Sequence, residues 1–218
     1  MKDDRRAPKA IVCDFDGTIT LLDTAEFLLE TFAEGDWRAP DELLVKGEIG
    51  LEECMRRQLA MVHVDPDTMM RALDGRVGIR TGLRDLVDRC ASDDVPFHVA
   101  SAGLDFVIDH YLEREGISKE VEVHALTLSW NGETISLDFP LLRNEGARSF
   151  KEDLVMDLRN EGREVVYIGD GLSDLDGARR ADTRYVVNGR PLGRLLAGEG
   201  IGSIPFDDFA EVARSMGI

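Results

Sequence analysis

The 218-residue sequence has few cysteines, few lysines and no long apolar run. Its three cysteines, Cys13, Cys54 and Cys90, are far apart and odd in number, which argues against a zinc knuckle or a disulfide framework and favours a reducing compartment. No apolar segment approaches membrane-spanning length, and the N-terminal "MKDDRRAPKA" contains no apolar signal-peptide core. We therefore expect a soluble cytoplasmic protein that has no membrane partner.

Basic residues are also scarce. The chain has 43 acidic against 26 basic residues, a net charge of −17, and 21 of the basic residues are arginine. Because no concentrated basic stripe is present, nucleic acid is not expected as a partner. An acidic, lysine-poor surface suits a high-salt cytoplasm, and it suits an ordinary acidic soluble protein equally well. Nothing in the sequence indicates the oligomeric state.

The length allows one α/β core with a modest insertion, and not two full catalytic domains. Apolar, strand-like runs occupy residues 10–15, 95–102, 164–170 and 184–187, and helical patterns separate them. Such alternation predicts a parallel sheet covered by helices on both faces, which is a doubly wound, Rossmann-like α/β fold.

Two segments depart from this alternation. Residues 21–78 carry several helical patterns and no convincing strand. We expect them to form a helical cap inserted after the first strand, with residues 1–20 and 79–218 forming the catalytic core. Residues 121–139 alternate around the Asn-Gly dipeptide that begins at Asn131, which is the strongest short signal for a β-hairpin.

Two carboxylates follow the first predicted strand in the stretch "IVCDFDGTIT". Alternate residues of a strand point the same way, so Asp14 and Asp16 start out on one side and Phe15 on the other. Two like charges that close are unfavourable unless something positive lies between them. Three interpretations follow: a cation occupies the site, one carboxyl is protonated as an acid, or the pair lies in a solvated turn with no role.

Polar residues also end the other predicted strands, and the carboxyl ends of strands form the ligand-binding edge of an open α/β sheet. Ser101 follows the second strand, Asp170 follows the third, and Asp174 lies one turn into the next helix. Lys151 opens another helix. Oxygen ligands without a cysteine or histidine cluster suit Mg²⁺, which Asp170 could hold with the first two carboxylates. Lys151 and Ser101 could then bind phosphoryl oxygens.

In this order, "DFDGT", "ASAG", a downstream lysine and "GDGLSD" resemble the four signature motifs of the haloacid dehalogenase superfamily. The resemblance spans residues 14–174, and four ordered motifs are far more specific than one. The helical insertion is similar to the small cap of the phosphoserine phosphatase-like branch. The resemblance implies a phosphatase, a phosphoric monoester hydrolase that acts on a small phosphorylated metabolite with Mg²⁺ as its cofactor.

The resemblance implies roles for the residues of the first motif. Asp14 is expected to attack phosphorus and form an aspartyl-phosphate. Asp16 is expected to protonate the leaving alcohol and later to deprotonate the water that hydrolyses the intermediate. Thr18 is expected to steady the loop.

The other motifs are expected to bind phosphate and metal. Ser101 and the backbone amides of Ala102 and Gly103 are expected to bind the phosphate. Lys151 is expected to bind it too and, as a catalytic residue, to hold it beside Asp14. Ser101 can also be interpreted as a helix N-cap, which does not exclude phosphate binding. The expected metal ligands are carboxylates, with the last in support: Asp14, Asp16, Asp170 and Asp174.

Two cap residues bear on the substrate. Asp23 stands where phosphoserine phosphatases have a glutamate that meets the substrate amino group, although it also forms a capping-box pattern with Glu26. Arg56 resembles the cap arginine that binds the substrate carboxylate, and a solvated arginine is the alternative. Methionine-salvage phosphatases, which act on a keto-methylthiopentenyl phosphate, also carry an aspartate at the place of Asp23. Their C-terminal region resembles "GDGLSDLDGARRAD" and "IPFDDFAEV".

Other classes of function could use the same residues. A phosphomutase or phosphotransferase would shield the aspartyl-phosphate from water. A non-catalytic switch would be phosphorylated on Asp14, but it would leave Asp16 and the cap unexplained, since it needs no leaving-group acid. We expect a phosphoserine-phosphatase-like hydrolase, and the methionine-salvage substrate is the alternative.

Overall fold

A computed structural model describes residues 7–218. Residues 1–6, which belong to the predicted core segment and to the N-terminal stretch without an apolar core, lie outside the described residues. Within the described range, none of the helices combines the length and the apolar character needed to cross a membrane.

The described strands form one seven-stranded sheet in the order β4-β3-β2-β1-β5-β6-β7, in which only β4 is antiparallel to its neighbour. The strands are β1 (Lys9–Cys13), β2 (Phe97–Leu104), β3 (Val121–Trp130), β4 (Ile135–Asp138), β5 (Glu164–Gly169), β6 (Thr183–Val187) and β7 (Ile204–Phe206). The chain builds β2 to β4 on one side of β1 and then returns to build β5 to β7 on the other. This reversal places the ligand-binding crevice of an open sheet at the carboxyl end of β1.

Helices cover both faces of the sheet, and the doubly wound fold predicted from the sequence is confirmed. The helices are α1 (Thr24–Phe32), α2 (Ala39–Val45), α3 (Leu51–Leu59), α4 (Pro66–Leu73), α5 (Leu83–Ser92), α6 (Asp105–Glu115), α7 (Phe150–Asn160), α8 (Leu175–Arg180), α9 (Pro191–Gly198) and α10 (Phe209–Met216). Alternation along β1 divides the core. Ile11 and Cys13 pack with α5, α6 and α10, whereas Ala10 and Val12 pack with α7, α8 and α9.

Helices α1 to α4 lie between β1 and β2 in the sequence. The chain leaves and re-enters the core at one place, where an isolated antiparallel bridge pairs Thr20 with Ile79. Leu21 N–H donates to the carbonyl of Gly78 at 2.9 Å beside this bridge. These contacts lie at the two ends of the predicted cap segment, residues 21–78.

At the carboxyl edge of the sheet, the ends of β1 and β2 differ from the predicted ones. Strand β1 ends at Cys13, so both carboxylates of the first motif lie beyond it. Strand β2 continues to Leu104 and α6 begins only at Asp105, so Ser101 does not cap that helix. The predicted hairpin is present as β3 and β4, and β3 also pairs in parallel with β2 as a member of the main sheet. The three-residue strand β7 was not predicted, because so short a run carries no alternation.

Candidate active site

The chain turns sharply after β1. Thr20 N–H donates to the carbonyl of Phe15 at 3.0 Å, which closes a wide turn over Phe15–Ile19. Gly17 lies at the centre of this turn with φ of 75°, a conformation that favours glycine. A Cβ atom at Gly17 would also overlap the Asp170 carboxylate. The "DFDGT" stretch therefore needs glycine for both its backbone angle and its close approach to Asp170.

A fully buried lysine lies next to Asp14. Lys151 Nζ, at the start of α7, lies 2.6 Å from Asp14 Oδ1 and 2.7 Å from Asp174 Oδ1. Burial by itself lowers the pKa of an ammonium group, but the two adjacent carboxylates outweigh it and hold the pKa of Lys151 above its usual value. Lys151 is therefore a permanent positive charge against Asp14.

Asp174 is saturated with hydrogen bonds. Its Oδ1 accepts from Lys151 and from the Tyr167 hydroxyl at 2.9 Å, and its Oδ2 accepts from the backbone amides of Asp170 and Gly171 at 2.9 and 3.0 Å. Asp174 thus holds both the lysine and the loop that carries Asp170. The spacing of the two aspartates in "GDGLSD" lets Asp174 accept hydrogen bonds from the backbone amides at Asp170 and Gly171.

The Asp16 side chain is turned toward the cap. Its Oδ1 accepts hydrogen bonds from the Thr24 amide at 2.7 Å and from the Thr24 hydroxyl at 2.6 Å. Its Oδ2 is buried and accepts no hydrogen bond from the described residues. Burial, together with the charge of Asp23, raises the pKa of Asp16 to about 7. A carboxyl group in this setting can carry a proton near neutral pH.

The end of β2 forms a bulge beside Asp16. Its pairing with β3 shifts between Ser101 and Leu104, so Ala102 and Gly103 are extra residues on the β2 side. The amide of Gly103 donates to Ser101 Oγ at 2.9 Å. The predicted phosphate ligands Ser101, Ala102 and Gly103 all line the cavity that contains Asp14 and Asp16.

Two arginines support this region, and the sequence motifs did not indicate either of them. Arg190 binds Asp170 Oδ2 through Nε at 2.7 Å and Nη2 at 2.6 Å. Arg80 donates from Nε to the Thr18 carbonyl at 2.7 Å and from Nη2 to the Gly17 carbonyl at 2.9 Å. Arg190 lies three residues after the end of β6. Its position near the carboxyl end of a strand is the sequence signal that could have predicted it as a site residue. Arg80 belongs to no pattern.

Three carboxylates could hold a metal ion. Asp14, Asp170 and Asp174 each offer an oxygen within 4.8 Å of the other two, and Asp16 is not part of this group. Burial, followed by the charge of Asp174, raises the pKa of Asp170 to about 6. Such crowding of buried oxygen donors fits a hard divalent cation such as Mg²⁺. A ligand role for the Asp16 side chain is not supported, because that carboxylate faces Thr24.

The cavity above these groups has a volume of about 310 Å³. Its core wall carries the charged motif residues, whereas its cap wall is largely apolar. The apolar cap residues that line it are Ala25, Leu29, Trp37, Leu44, Leu51, Cys54 and Met55. Polar cap side chains at this cavity are Asp23, Glu26, Asp41 and Gln58. Among all its lining residues, which belong to the described range, Arg190 is the only basic one.

The two predicted substrate residues of the cap have different positions. Asp23 lines the cavity and is also the N-cap of α1, since its Oδ1 accepts from the Glu26 amide at 2.8 Å. Arg56 does not line it. The Arg56 guanidinium donates to the carbonyl of Leu137 at 2.8 Å and lies 4.7 Å from the centre of the Phe139 ring. Substrate contact by Arg56 is not supported, because its face of α3 points toward the end of β4.

The sequence profile of the haloacid dehalogenase-like hydrolases matches residues 11–179. The chain belongs to this family. The matched range contains the residues of all four motifs, from Asp14 to Asp174, so the family resemblance and the phosphatase class predicted from those motifs are confirmed.

This haloacid dehalogenase-like hydrolase is similar to proteins named 2-hydroxy-3-keto-5-methylthiopentenyl-1-phosphate phosphatase. The one from Bacillus pumilus is 28% identical over 181 residues, which cover 80% of this chain and 77% of the relative. The one from Bacillus velezensis is 26% identical over 214 residues, which cover 93% and 87%. A solved, substrate-bound phosphoserine phosphatase complex shares the fold, with a TM-score of 0.71 over 97% of this chain and 99% of that chain, at 16% identity.

Proposed function

We propose that this haloacid dehalogenase-like hydrolase is a Mg²⁺-dependent phosphomonoesterase that acts through an aspartyl-phosphate on Asp14. The observation that carries the proposal is the pairing of two unlike carboxyl groups in one cavity. Asp14 is held 2.6 Å from a buried ammonium group, whereas Asp16 is held by Thr24 and has one buried oxygen without a partner. Burial raises the pKa of Asp14 well above its usual value and the charge of Asp174 adds to this, so the adjacent Lys151 ammonium is the group that favours the ionised form needed for attack. Asp16 is placed to carry a proton.

In the first step, an Asp14 oxygen attacks phosphorus and the bond from phosphorus to the substrate alcohol oxygen breaks. The leaving alkoxide takes the proton of Asp16 and departs as an alcohol. Lys151 offsets the negative charge that Asp14 and the phosphoryl group bring together. Ser101 and the bulge residues beside it line the same cavity as Asp14, where they could bind the phosphoryl oxygens.

In the second step, water attacks phosphorus of the aspartyl-phosphate. Asp16, now ionised, takes a proton from that water, the bond from phosphorus to Asp14 breaks, and inorganic phosphate leaves. Both carboxyl groups return to their starting states. The Thr24 contacts hold Asp16 in the same place for both steps, which need the same group as an acid and then as a base.

The metal would be held by Asp14 and Asp170. Both oxygens of Asp174 already accept two hydrogen bonds each, which assigns it to support of the site. Arg190 binds Oδ2 of Asp170, and Oδ1 accepts no hydrogen bond from the described residues, so Oδ1 could bind the metal ion. When bound, Mg²⁺ supplies positive charge that stabilises the phosphoryl oxygens.

The cap wall favours a phosphorylated metabolite with an uncharged, partly apolar tail. Leu29, Trp37 and Met55 offer apolar surface, and no basic cap residue lines the cavity within the described range. A substrate carboxylate, as in phosphoserine, would face Asp23 and Asp41 there without a cation. The salvage keto phosphate named for the relatives has the favoured character, and it is the better-supported substrate class. The free thiols of Cys13, Cys54 and Cys90 agree with a cytoplasmic location.

A phosphate-release assay tests the reaction. With Mg²⁺ the protein should hydrolyse small phosphomonoesters, and excess chelator should abolish turnover. Asp14→Asn should also abolish it, whereas the exposed Asp67→Asn is the matched control and should keep full activity. Acid-quenched wild-type protein should retain phosphate from a labelled substrate, and Asp14→Asn should not. Undiminished activity in Asp14→Asn would remove covalent catalysis, and transfer of phosphate to added alcohols instead of water would indicate a phosphotransferase.

Two neighbouring residues of α3 test the substrate class. Met55 lines the cavity and Arg56 does not. Alkyl phosphates should become better substrates as the alkyl chain lengthens, and Met55→Ala should remove much of that gain. Arg56→Ala should leave the same series unchanged. Preference for phosphoserine over alkyl phosphates, lost selectively in Arg56→Ala, would instead establish the amino-acid substrate.

A further inference from the structure

A second group of potential metal ligands lies on the sheet, away from the carboxylates of the active site. His98 belongs to β2, and Glu122 and His124 belong to β3. In the parallel pairing, His98 is opposite Glu122 and Ala100 is opposite His124. Because alternate residues of a strand share a face, these three side chains lie together on one face of the sheet.

The three side chains converge closely. His98 Nδ1 lies 3.2 Å from His124 Nε2. Glu122 Oε2 lies 3.5 Å from His98 Nδ1, and the other carboxylate oxygen, Oε1, lies 3.4 Å from His124 Nε2. In a tetrahedral zinc site with bonds of about 2.0–2.1 Å, neighbouring ligand atoms are about 3.3 Å apart. The two imidazole nitrogens are therefore about as far apart as two ligands of one zinc ion, and the Glu122 carboxylate lies beside both of them; one ligand atom from each of the three residues lies within 4.8 Å of the other two.

We propose that His98, Glu122 and His124 bind one divalent transition-metal ion, with Zn²⁺ as the best fit to two imidazoles and a carboxylate. The three residues line a cavity of about 300 Å³, which leaves the fourth position open to water or a small ligand. His98 lies three residues before Ser101 on β2, or about 10 Å along the strand. The site is thus separate from the catalytic carboxylates.

The surroundings suit metal binding by neutral imidazoles. His98 is buried and His124 is largely buried, and burial lowers the pKa of both rings, so they are unprotonated at neutral pH. The two sites also differ in their donor atoms. The group of Asp14, Asp170 and Asp174 in the active site provides carboxylate oxygens, which suit Mg²⁺, whereas two imidazole nitrogens suit a transition-metal ion. A bound ion would join β2 to β3, and β2 carries the bulge that lies beside Asp16.

Metal titration of the full chain tests the proposal. Chelator-treated protein is titrated with Zn²⁺ in excess Mg²⁺, which occupies oxygen-donor sites, and one equivalent should bind. Co²⁺ in place of Zn²⁺ should give the intense visible absorption of a tetrahedral ion. Glu122→Gln and His124→Gln should each weaken binding by at least about 100-fold, beyond the loss typical of an outer-shell contact.

His110→Gln is the matched control, since His110 is exposed and lies outside the cluster. It should bind Zn²⁺ as tightly as the wild type. Glu122 is 67% exposed, so Glu122→Gln should fold normally, which a thermal melt in chelator checks. Absence of tight Zn²⁺ binding, or equal losses in His110→Gln and Glu122→Gln, would overturn the proposal.

Discussion

The carboxylate of Asp16 lies directly against the backbone of Gly103, in space that any larger residue at that position would need. A Cβ atom at Gly103 would overlap Asp16 Oδ2 and would also come within 3.1 Å of Ser101 Oγ. The bulge at the end of β2 and the turn after β1 therefore meet at these two residues. The position of the proposed acid depends on the absence of a side chain in the "ASAG" motif.

Gly103→Ala should displace Asp16 and lower kcat by about 10²-fold or more, on the scale of lost general acid-base catalysis. Gly202→Ala is the matched control, because a Cβ atom there meets no neighbouring atom and its φ is not in the left-handed region. Phosphate-release kinetics on both variants measure the effect. Equal activity of the two would show that the contact with Gly103 does not position Asp16.

Asp16→Asn should lower the rate by about 10²–10⁴-fold for alkyl phosphates, whose leaving alkoxide needs a proton. The loss should be smaller for nitrophenyl phosphate, because nitrophenolate is a good leaving group without one. The measurement is kcat for both substrates in wild type and variant. If both substrates lost the same factor, Asp16 would not be the leaving-group acid.

Lys151→Met should destabilise the protein by about 3–5 kcal/mol, the range for removing one partner of a buried ion pair. The change leaves Asp14 and Asp174 buried without the ammonium between them. Lys46→Met serves as the control, since Lys46 is exposed and its pair with Glu42 is worth at most about 1 kcal/mol. Denaturant unfolding measures both, and similar stabilities would contradict the role of Lys151 as a buried counter-ion.

The three thiols should be unreactive in the folded protein. Burial raises the pKa of Cys54 and Cys90 to about 12 and that of Cys13 well above its usual value, and only thiolates react quickly. A thiol reagent at mild alkaline pH should modify them about 10³-fold more slowly in native buffer than in denaturant. Rapid labelling of one thiol in native protein would show that its part of the fold opens readily.

Much of the architecture was predictable because it depends on local pattern. Apolar runs mark β1, β2, β5 and β6, and the Asn-Gly signal marks the hairpin of β3 and β4. The convergence of Asp14 and Asp170 was predictable too, since carboxyl ends of neighbouring parallel strands meet at one edge. Lys151 opens a helix instead, and only the order of the motifs predicted its place. Strand β7 was missed because three residues cannot show periodicity.

Side-chain direction was not predictable from spacing. Asp14 and Asp16 were expected to lie side by side, but β1 ends before them and the turn at Gly17 sends Asp16 to Thr24. Arg56 was expected at the substrate, but it contacts the carbonyl of Leu137, 81 residues away in sequence. Both outcomes depend on contacts between segments distant in the chain.

The sequence by itself determined the sheet, the order of the motifs and the chemical types at its carboxyl edge, because strand alternation and glycine turns are local properties. Only the tertiary structure decided which carboxylate oxygens accept hydrogen bonds and which do not, and that Arg190 binds Asp170 and Arg80 holds the turn. It also decided that the cap wall of the cavity is largely apolar, with Asp23, Glu26, Asp41 and Gln58 as its polar side chains. Those outcomes depend on hydrogen bonds and packing between residues far apart in sequence. Each such residue has many possible partners, and the spacing of residues along the chain does not determine which one it contacts.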